Sequence, residues 1–361
     1  MPELPEVETV RRGLARLIAG RRIAGVTILH AKSFQGTDAD LAEVVGARVA
    51  GVRRHAKVLV IDLDSDHSLV VHLKMTGQLV LRDEAGAEPD WGAGHPTASF
   101  LHRLPDRSTK VVFELGPAPG VDGADRTSDA GPDWPDRTSD AGPPGESVKP
   151  DPPNTAGGSR VGGVHPGDGP AEPVTAHLFF NDQRIFGWIK VVPTDEVEQL
   201  DFITKLGPEP LDETGRPLEP GADARATAEF IRRARRHPKA KIKAVILDQT
   251  IVAGIGNIYA DEALWAAAIH PATPLGDLTD DQLLEVFHEA AEAMLRSLSA
   301  GGSTMRNYFQ ADGKPGNYLE AFANVFGRQG EPCPRCGAAI EKTRVAGRGT
   351  HLCPRCQVAA A

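Results

Sequence analysis

All four cysteines of this chain fall within its last 30 residues, as Cys333-Pro-Arg-Cys336 and Cys353-Pro-Arg-Cys356 with 16 residues between the pairs. Two Cys-x-x-Cys knuckles at this separation fit one tetrahedral four-thiolate zinc site, which draws both pairs onto a single centre. Disulfides would suit an exported protein, but the N-terminus is too charged for a signal peptide. No stretch approaches the ~18 apolar residues of a membrane span. The expected place is the cytoplasm and the expected metal one structural zinc ion. A redox pair and a degenerate site without metal are the other readings of the same cysteines.

The opposite end begins Met1-Pro2-Glu3-Leu4-Pro5-Glu6. Val7, Val10, Leu14, Leu17 and Ile18 follow at helical spacing, so Pro and Glu here are also an ordinary way to start an amphipathic helix. The chemical reading is sharper. Once Met1 is removed, Pro2 is a free secondary amine able to attack a sugar aldehyde carbon and form an iminium. A helix N-terminus disfavours a protonated amine and leaves more of the neutral nucleophile near pH 7.

Between these ends the 361 residues have room for two or three domains. Val58–Leu63, Ser68–Leu73 and Gln78–Leu81 read as strands, and Val111–Leu115 and His177–Phe180 as two more that would neighbour one another in a hairpin. A linker is expected around Val192 to Leu206, followed by helices over Lys243–Val252, Ile258–Ala268 and Asp280–Leu298. Short strands and the cysteine hairpin come last. The fold class is α+β, multidomain.

A net charge of −9 argues against a nucleic-acid partner until its distribution is considered. Residues 116–176 hold ten acidic and four basic side chains, are rich in Gly and Pro, and repeat themselves: Asp125-Arg-Thr-Ser-Asp-Ala-Gly-Pro132 recurs over Asp136 to Pro143. Such a segment cannot bury enough apolar surface to offset its ordering entropy and is read as a disordered insertion, a tolerated loop expansion. Elsewhere basic residues cluster. Arg232, Arg233, Arg235, Arg236, Lys239, Lys241 and Lys243 form one run, and Arg328 to Cys356 carries six basic against two acidic residues. These runs are either solvated faces or phosphate-neutralising surfaces.

With Pro2-Glu-Leu-Pro-Glu-Val-Glu-Thr9 at one end and the cysteine pairs at the other, the chain closely resembles the bacterial formamidopyrimidine-DNA glycosylases. Arg53-Arg-His-Ala-Lys57, His72-Leu-Lys-Met-Thr-Gly77, Asp182-Gln-Arg-Ile-Phe-Gly187, Leu206-Gly-Pro-Glu-Pro-Leu211, Gly254-Ile-Gly-Asn-Ile-Tyr-Ala260 and Asp312-Gly-Lys-Pro-Gly316 fall in family order. The resemblance implies an N-terminal β-sandwich catalytic domain over 1–193 interrupted by the insertion, a helix-two-turn-helix domain over 194–310, and a zinc β-hairpin over 311–361. It also implies a monomer that binds double-stranded DNA in the cleft between domains, excises oxidised purines and cleaves the strand at the abasic site.

By the same resemblance Pro2 is the nucleophile, Glu3 a proton donor to the sugar ring, Lys57 the proton donor for β-elimination and Arg348 the arginine linked to δ-elimination. Met75, Arg184 and Phe186 match residues that fill the gap left by an extruded nucleotide. Lys239 matches a DNA-contacting position, while Asn257, after two glycines and before a helix, reads from its own placement as that helix's cap and as a site for a DNA phosphate at the free helix amides. Cys333, Cys336, Cys353 and Cys356 are the metal ligands. Two positions depart from the pattern: Thr97 stands where a DNA-contacting basic residue is common, and Ile185 where arginine is frequent. The alternatives are an endonuclease VIII-like glycosylase for oxidised pyrimidines, against which Leu4-Pro5 argues, and a non-catalytic zinc-containing DNA-binding protein.

Overall fold

The computed structural model describes residues 2–83, 91–94, 104–119, 161–164, 173–300 and 322–358. Thr97, the Asp312–Gly316 motif and most of the acidic insertion lie outside these residues. Helix α1 (Leu4–Ile18) opens the fold, with Pro5 in its first turn, where a missing N–H costs nothing. There follow β1 (Ile23–Ile28), β2 (Phe34–Gln35), α2 (Asp38–Val44), β3 (Val49–His55), β4 (Val58–Leu63), β5 (His67–His72), β6 (Gly77–Asp83), β7 (Trp91–Gly94), β8 (Thr109–Leu115), β9 (Val161–Val164), β10 (Ala176–Asp182) and β11 (Trp188–Pro193).

These strands form two sheets, ordered β7-β6-β10-β8-β1-β9 and β2-β11-β5-β4-β3. Val26, Leu79, Phe113 and Phe180 of the first meet Val52, Leu59, Val71 and Ile189 of the second in one buried core, which makes the pair a β-sandwich. The unbroken apolar run of β4 has a simple cause. Leu59 and Ile61 face the sandwich core, while Val58 and Val60 pack outward against Val192, Val197 and Ile203. The stretch from Val192 to Leu206 is therefore packed structure rather than a linker. A 3-10 turn at Thr194–Gln199 and helix α3 (Asp201–Thr204) cover the outward valines.

Strands β8 and β10 pair antiparallel from Leu115 opposite Ala176 inward, so the runs flanking the insertion do form neighbouring strands. Disorder throughout 116–176 is contradicted at the edges, where Gly116 and Thr175 bond to Arg22 and Leu115 and Ala176 starts β10, and inside, where Val161–Val164 is β9, antiparallel to β1. An open strand edge offers a row of unsatisfied N–H and C=O groups, and two valines around two glycines can follow it despite the poor apolar content of the surrounding sequence.

The second half is helical: α4 (Pro220–Ala234), α5 (Ile242–Ile246), α6 (Asn257–Ala266) and α7 (Asp280–Ser299). Helix α7 starts on a reciprocal cap in which the Gln282 N–H donates to Thr279 Oγ1 at 3.2 Å and the Thr279 N–H to Gln282 Oε1 at 2.9 Å. Ala260 and Ala263 of α6 and Ala290 and Ala293 of α7 are all fully buried, small residues that let the two helices approach closely. Helix α5 stops at Ile246, earlier than the apolar pattern predicts. Asp248 Oδ1 accepts from the N–H and hydroxyl of Thr250, a local turn that competes with helix continuation. A two-stranded hairpin, β12 (Glu341–Val345) and β13 (Arg348–Leu352), carries the cysteine cluster beside it.

Helix α1 belongs to both halves. Val7, Val10 and Leu14 sit in the sandwich core, whereas Leu4, one turn earlier, is buried with Ile255, Tyr259 and Met294 in the helical core. Leu4→Ala is accordingly expected to cost ~2–5 kcal/mol, the range for emptying a fully buried leucine site, although it lies three residues into the chain. Chemical denaturation monitored by circular dichroism checks this; a loss below ~1 kcal/mol would mean that the N-terminus is not built into the second core.

Candidate active site

The loop Gly254–Asn257, just before α6, is where the distant parts of the chain meet. Gly254 takes φ +91°, and a side chain there would strike Leu4; at Gly256 a Cβ would lie 2.2 Å from the Glu3 carboxyl carbon. Both positions therefore require glycine. With that space open, the Leu4 N–H donates to Gly254 O at 3.1 Å, and the Glu3 carboxylate accepts from the N–H groups of Gly256 at 2.8 Å and Ile258 at 3.0 Å. Helix α6 is thus capped by a side chain far away in sequence. Gly256, not Asn257, holds the N-cap position, because Asn257 is already the first helical residue.

Asn257 serves another purpose. Its Nδ2 donates to Gly349 O at 2.9 Å, beside Arg348 at the hairpin tip, while its buried Oδ1 has no hydrogen-bond partner. Lys57 comes from the turn between β3 and β4 and donates through Nζ to Ile255 O at 2.7 Å. That turn is held by Glu209, whose Oε1 accepts from the Ala56 N–H at 2.7 Å and whose other oxygen pairs with Arg54. Pro2, next to Glu3, is buried. Glu3, Lys57, Asn257 and Arg348, from four separate parts of the sequence, thus converge on one loop.

The electrostatics follow from burial. Desolvation pushes the Glu3 carboxyl up to about 7, against the opposing pull of Lys57 and the Ile258 N–H. Burial likewise pulls Lys57 down to about 8, against the attraction of Glu3, with Arg348 lowering it further. Two groups held close to neutrality, one raised and one lowered, are suited to moving protons. His72, half-buried beside Trp188, is pushed down to about 3 by desolvation and accepts from the Lys74 N–H at 3.1 Å.

Met75, Arg184 and Phe186 form an exposed cluster on two turns of the sandwich. The Arg184 guanidinium carbon lies 5.0 Å from the centre of the Phe186 ring, and Arg184 Nη1 reaches Met75 Sδ at 3.2 Å. Phe186 is 53% exposed and Met75 39%, which excludes core packing for either.

The four cysteine sulfurs lie within 4.8 Å of one another. Four thiolates around zinc at ~2.3 Å stand about 3.8 Å apart. Cys333 to Cys356 at 3.9 Å and Cys336 to Cys353 at 3.4 Å fit that set. The Trp265 indole N–H donates to Cys333 Sγ at 3.4 Å, a second-sphere contact of the kind such sites use.

The basic run is less available than its sequence implies. Arg233 donates to the carbonyls of Lys205, Leu206 and Thr250, Arg235 binds Asp280 and two carbonyls, and Arg232 pairs with Glu229. Lys243 is fully buried, donating to Asp261, Thr350 and Gly349. Lys239, with Arg236 and Lys241, stays exposed.

Sequence reasoning missed the carboxylates that hold these pieces. Asp261 pairs with Lys243 and accepts from the His351 N–H at 2.9 Å, and Glu262 accepts from the N–H groups of Asn324, Val325 and Phe326. Together they clamp the hairpin to α6. The available signal was two adjacent acids in an otherwise apolar helix.

Three family models match the chain in order: the formamidopyrimidine-DNA glycosylase N-terminal domain over residues 1–117, the H2TH domain of the same enzymes over 206–308, and a zinc finger found in FPG and IleRS over 330–358. Formamidopyrimidine-DNA glycosylases of Pediococcus pentosaceus and Chloroflexus aurantiacus are 33% and 34% identical, each over 99% of this chain and 99% and 98% of their own. Among solved structures, Lactococcus lactis Fpg with abasic-site DNA (27% identity, TM-score 0.69) and with N7-benzyl-Fapy-dG DNA (27%, 0.68) each cover 99% of this chain, which covers all of theirs.

The shared burial of Glu3 and Lys57 makes a direct prediction. Replacing Lys57 by Met removes the cation that holds the Glu3 carboxyl down, so Glu3 should titrate above its value near 7. Carbon-detected NMR titration of the two proteins reads the shift, and an unchanged or lowered value would show that the pair is not electrostatically coupled.

Proposed function

The chain belongs to the formamidopyrimidine-DNA glycosylase family, and we propose that it extrudes oxidised purines, such as 8-oxoguanine and formamidopyrimidines, from duplex DNA and excises them through the Pro2 amine. It is a DNA glycosylase with AP lyase activity acting in base-excision repair. In the proposed reaction the neutral Pro2 nitrogen attacks C1′, the C1′–base bond breaks with its electron pair leaving on the base, and the proton lost from the proline nitrogen neutralises the departing base. Glu3 protonates the ring oxygen, the C1′–O4′ bond opens, and an iminium joins the proline nitrogen to C1′. The iminium acidifies C2′. Loss of that proton expels the 3′ phosphate, and a second elimination expels the 5′ phosphate.

What supports this reading above all is the environment of Glu3. A carboxyl held near 7 by burial keeps a transferable proton close to neutral pH and sits directly beside the proposed nucleophile. Lys57, near 8, is placed to donate in the β-elimination, and Arg348 at the hairpin tip to hold the phosphate lost in the second step. Both acids lose their protons as pH rises, so these steps should slow above the values near 7 and 8. Met75, Arg184 and Phe186 would fill the space of the extruded nucleotide. Asn257 and Lys239 would contact the backbone. One zinc ion, held by Cys333, Cys336, Cys353 and Cys356, would keep the hairpin folded so that Arg348 is presented.

Borohydride trapping tests the chemistry. With an 8-oxoguanine duplex, chain freed of Met1 should give one covalent adduct. Chain retaining Met1, whose residue 2 nitrogen is an amide, should give none, and neither should Pro2→Gly at wild-type yield. An undiminished adduct from Pro2→Gly would remove the proline from the mechanism. Faster release of thymine glycol than of 8-oxoguanine from matched duplexes would instead assign the oxidised-pyrimidine branch.

For the finger, we expect about one zinc per chain by elemental analysis. Chelation should weaken binding to abasic DNA by roughly ten- to a hundredfold, since a charge-assisted phosphate contact is worth ~1.5–3 kcal/mol. Unchanged affinity in metal-free protein would sever the hairpin from DNA binding.

A further inference from the structure

The three gap-filling side chains come from two different turns, and one buried carboxylate joins those turns. Asp182, only 1% exposed at the end of β10, accepts from four donors. Its Oδ1 takes the Thr76 hydroxyl from the Met75 turn and the Arg184 N–H at 3.1 Å; its Oδ2 takes the N–H groups of Phe186 at 2.8 Å and Gly187 at 2.6 Å. Thr76 Oγ1 in turn accepts from the Arg184 N–H at 3.1 Å. Every one of the three side chains is therefore within two residues of a bond to this carboxylate or to the threonine it holds.

The turn it organises is strained. Ile185 has φ +58°, the left-handed region that a β-branched side chain rarely adopts, and its side chain is 44% exposed. No packing of Ile185 in a core explains that conformation. A residue in such a region persists when its surroundings over-determine it. Here the surroundings are the bonds from Phe186 and Gly187 on one side and Arg184 on the other. At Gly187 a Cβ would meet Phe180, Asp182 and the His72 carbonyl within 3.2 Å, so the turn can close only with glycine there.

We infer that Asp182 is the positioning residue of the wedge: it locks the Met75 turn to the Arg184–Phe186 turn and holds Ile185 in its strained conformation, so that the gap-filling surface is formed before DNA arrives. The inference rests on the reading of Met75, Arg184 and Phe186 given above. Preforming the surface lowers the ordering cost at the moment a base leaves the stack. Asp182 touches no reacting atom, and its effect is confined to steps that need the duplex to be filled.

The test compares two substrates and one binding signal. A duplex lesion needs the wedge, whereas an abasic site in a single strand leaves no stacked gap. Asp182→Asn replaces one acceptor oxygen with an N–H donor that opposes the Phe186 or Gly187 N–H. It should lower the ratio of duplex excision to single-strand cleavage at least tenfold. It should also abolish the fluorescence change of 2-aminopurine placed opposite a stable abasic analogue. Thr76→Val, nearly isosteric, should move both readouts the same way by a smaller factor, with circular dichroism confirming that both variants fold. Adding Ile185→Gly to Asp182→Asn relieves the left-handed strain and should restore part of the ratio.

An unchanged ratio and fluorescence in both Asp182→Asn and Thr76→Val would overturn the inference alone. A native chain that excises the lesion with no 2-aminopurine response would overturn the wedge reading and the inference with it. Equal losses on duplex and single strand would reduce Asp182 to a general structural role and also overturn it.

Discussion

A helix that begins inside a protein leaves N–H groups that must find acceptors, and α6 finds them in Glu3. This one cap organises the molecule. It fixes the first residues of the chain against the second domain and demands glycine at 254 and 256. It also draws Lys57 onto Ile255 O and leaves Asn257 free to reach the hairpin. The same helix end is secured a turn later by the Tyr259 hydroxyl, which bridges Glu6 and Ser297. Remove the carboxylate, and the buried amides of α6, the turn of β3 and β4 and the hairpin tip lose their common reference point.

The competition of forces on Glu3 is resolved by burial. A carboxylate that accepts backbone N–H bonds at a helix N-terminus beside a lysine would ordinarily be a stronger acid than usual. Here it is weaker, held near 7, because the loss of solvent outweighs all of those attractions. The contact that joins the domains and the group that can supply a proton are therefore the same atoms. Two buried cations nearby are paired with carboxylates. Arg54 lies between Glu8 and Glu209, and Lys243 against Asp261, arrangements that tolerate burial only with near-complete hydrogen bonding.

The sequence was most readable where a short-range pattern carried the information. The strands β4, β5 and β6, the start of α1, the long α7 and the cysteine pairs all have periodicity or spacing that survives into the structure. What was hidden depended on partners far away. Nothing local to Glu3 says that it caps a helix some 250 residues later, so Asn257 looked like the cap. Strand β9 sits in a segment whose composition argues for disorder, and only the open edge of β1 accounts for it. Three of the seven cations in the basic run are drawn onto carbonyls or carboxylates of other elements and a fourth, Arg232, pairs along its own helix, which charge counting cannot detect. Asp182 stood in plain view inside a recognised motif, yet its role emerged only from the meeting of two turns.

The cap on α6 also has a consequence for synthesis. Residues 1–3 leave the ribosome first, but the amides that hold Glu3 belong to residues 256 and 258. At roughly 5–20 residues per second, about 10–50 s separate the two events. Throughout that interval Glu3 exists without the α6 amides that it caps, and Lys57 without the Ile255 carbonyl that it binds. In a chain that ends before residue 256, Glu3 has none of the α6 amides to accept from.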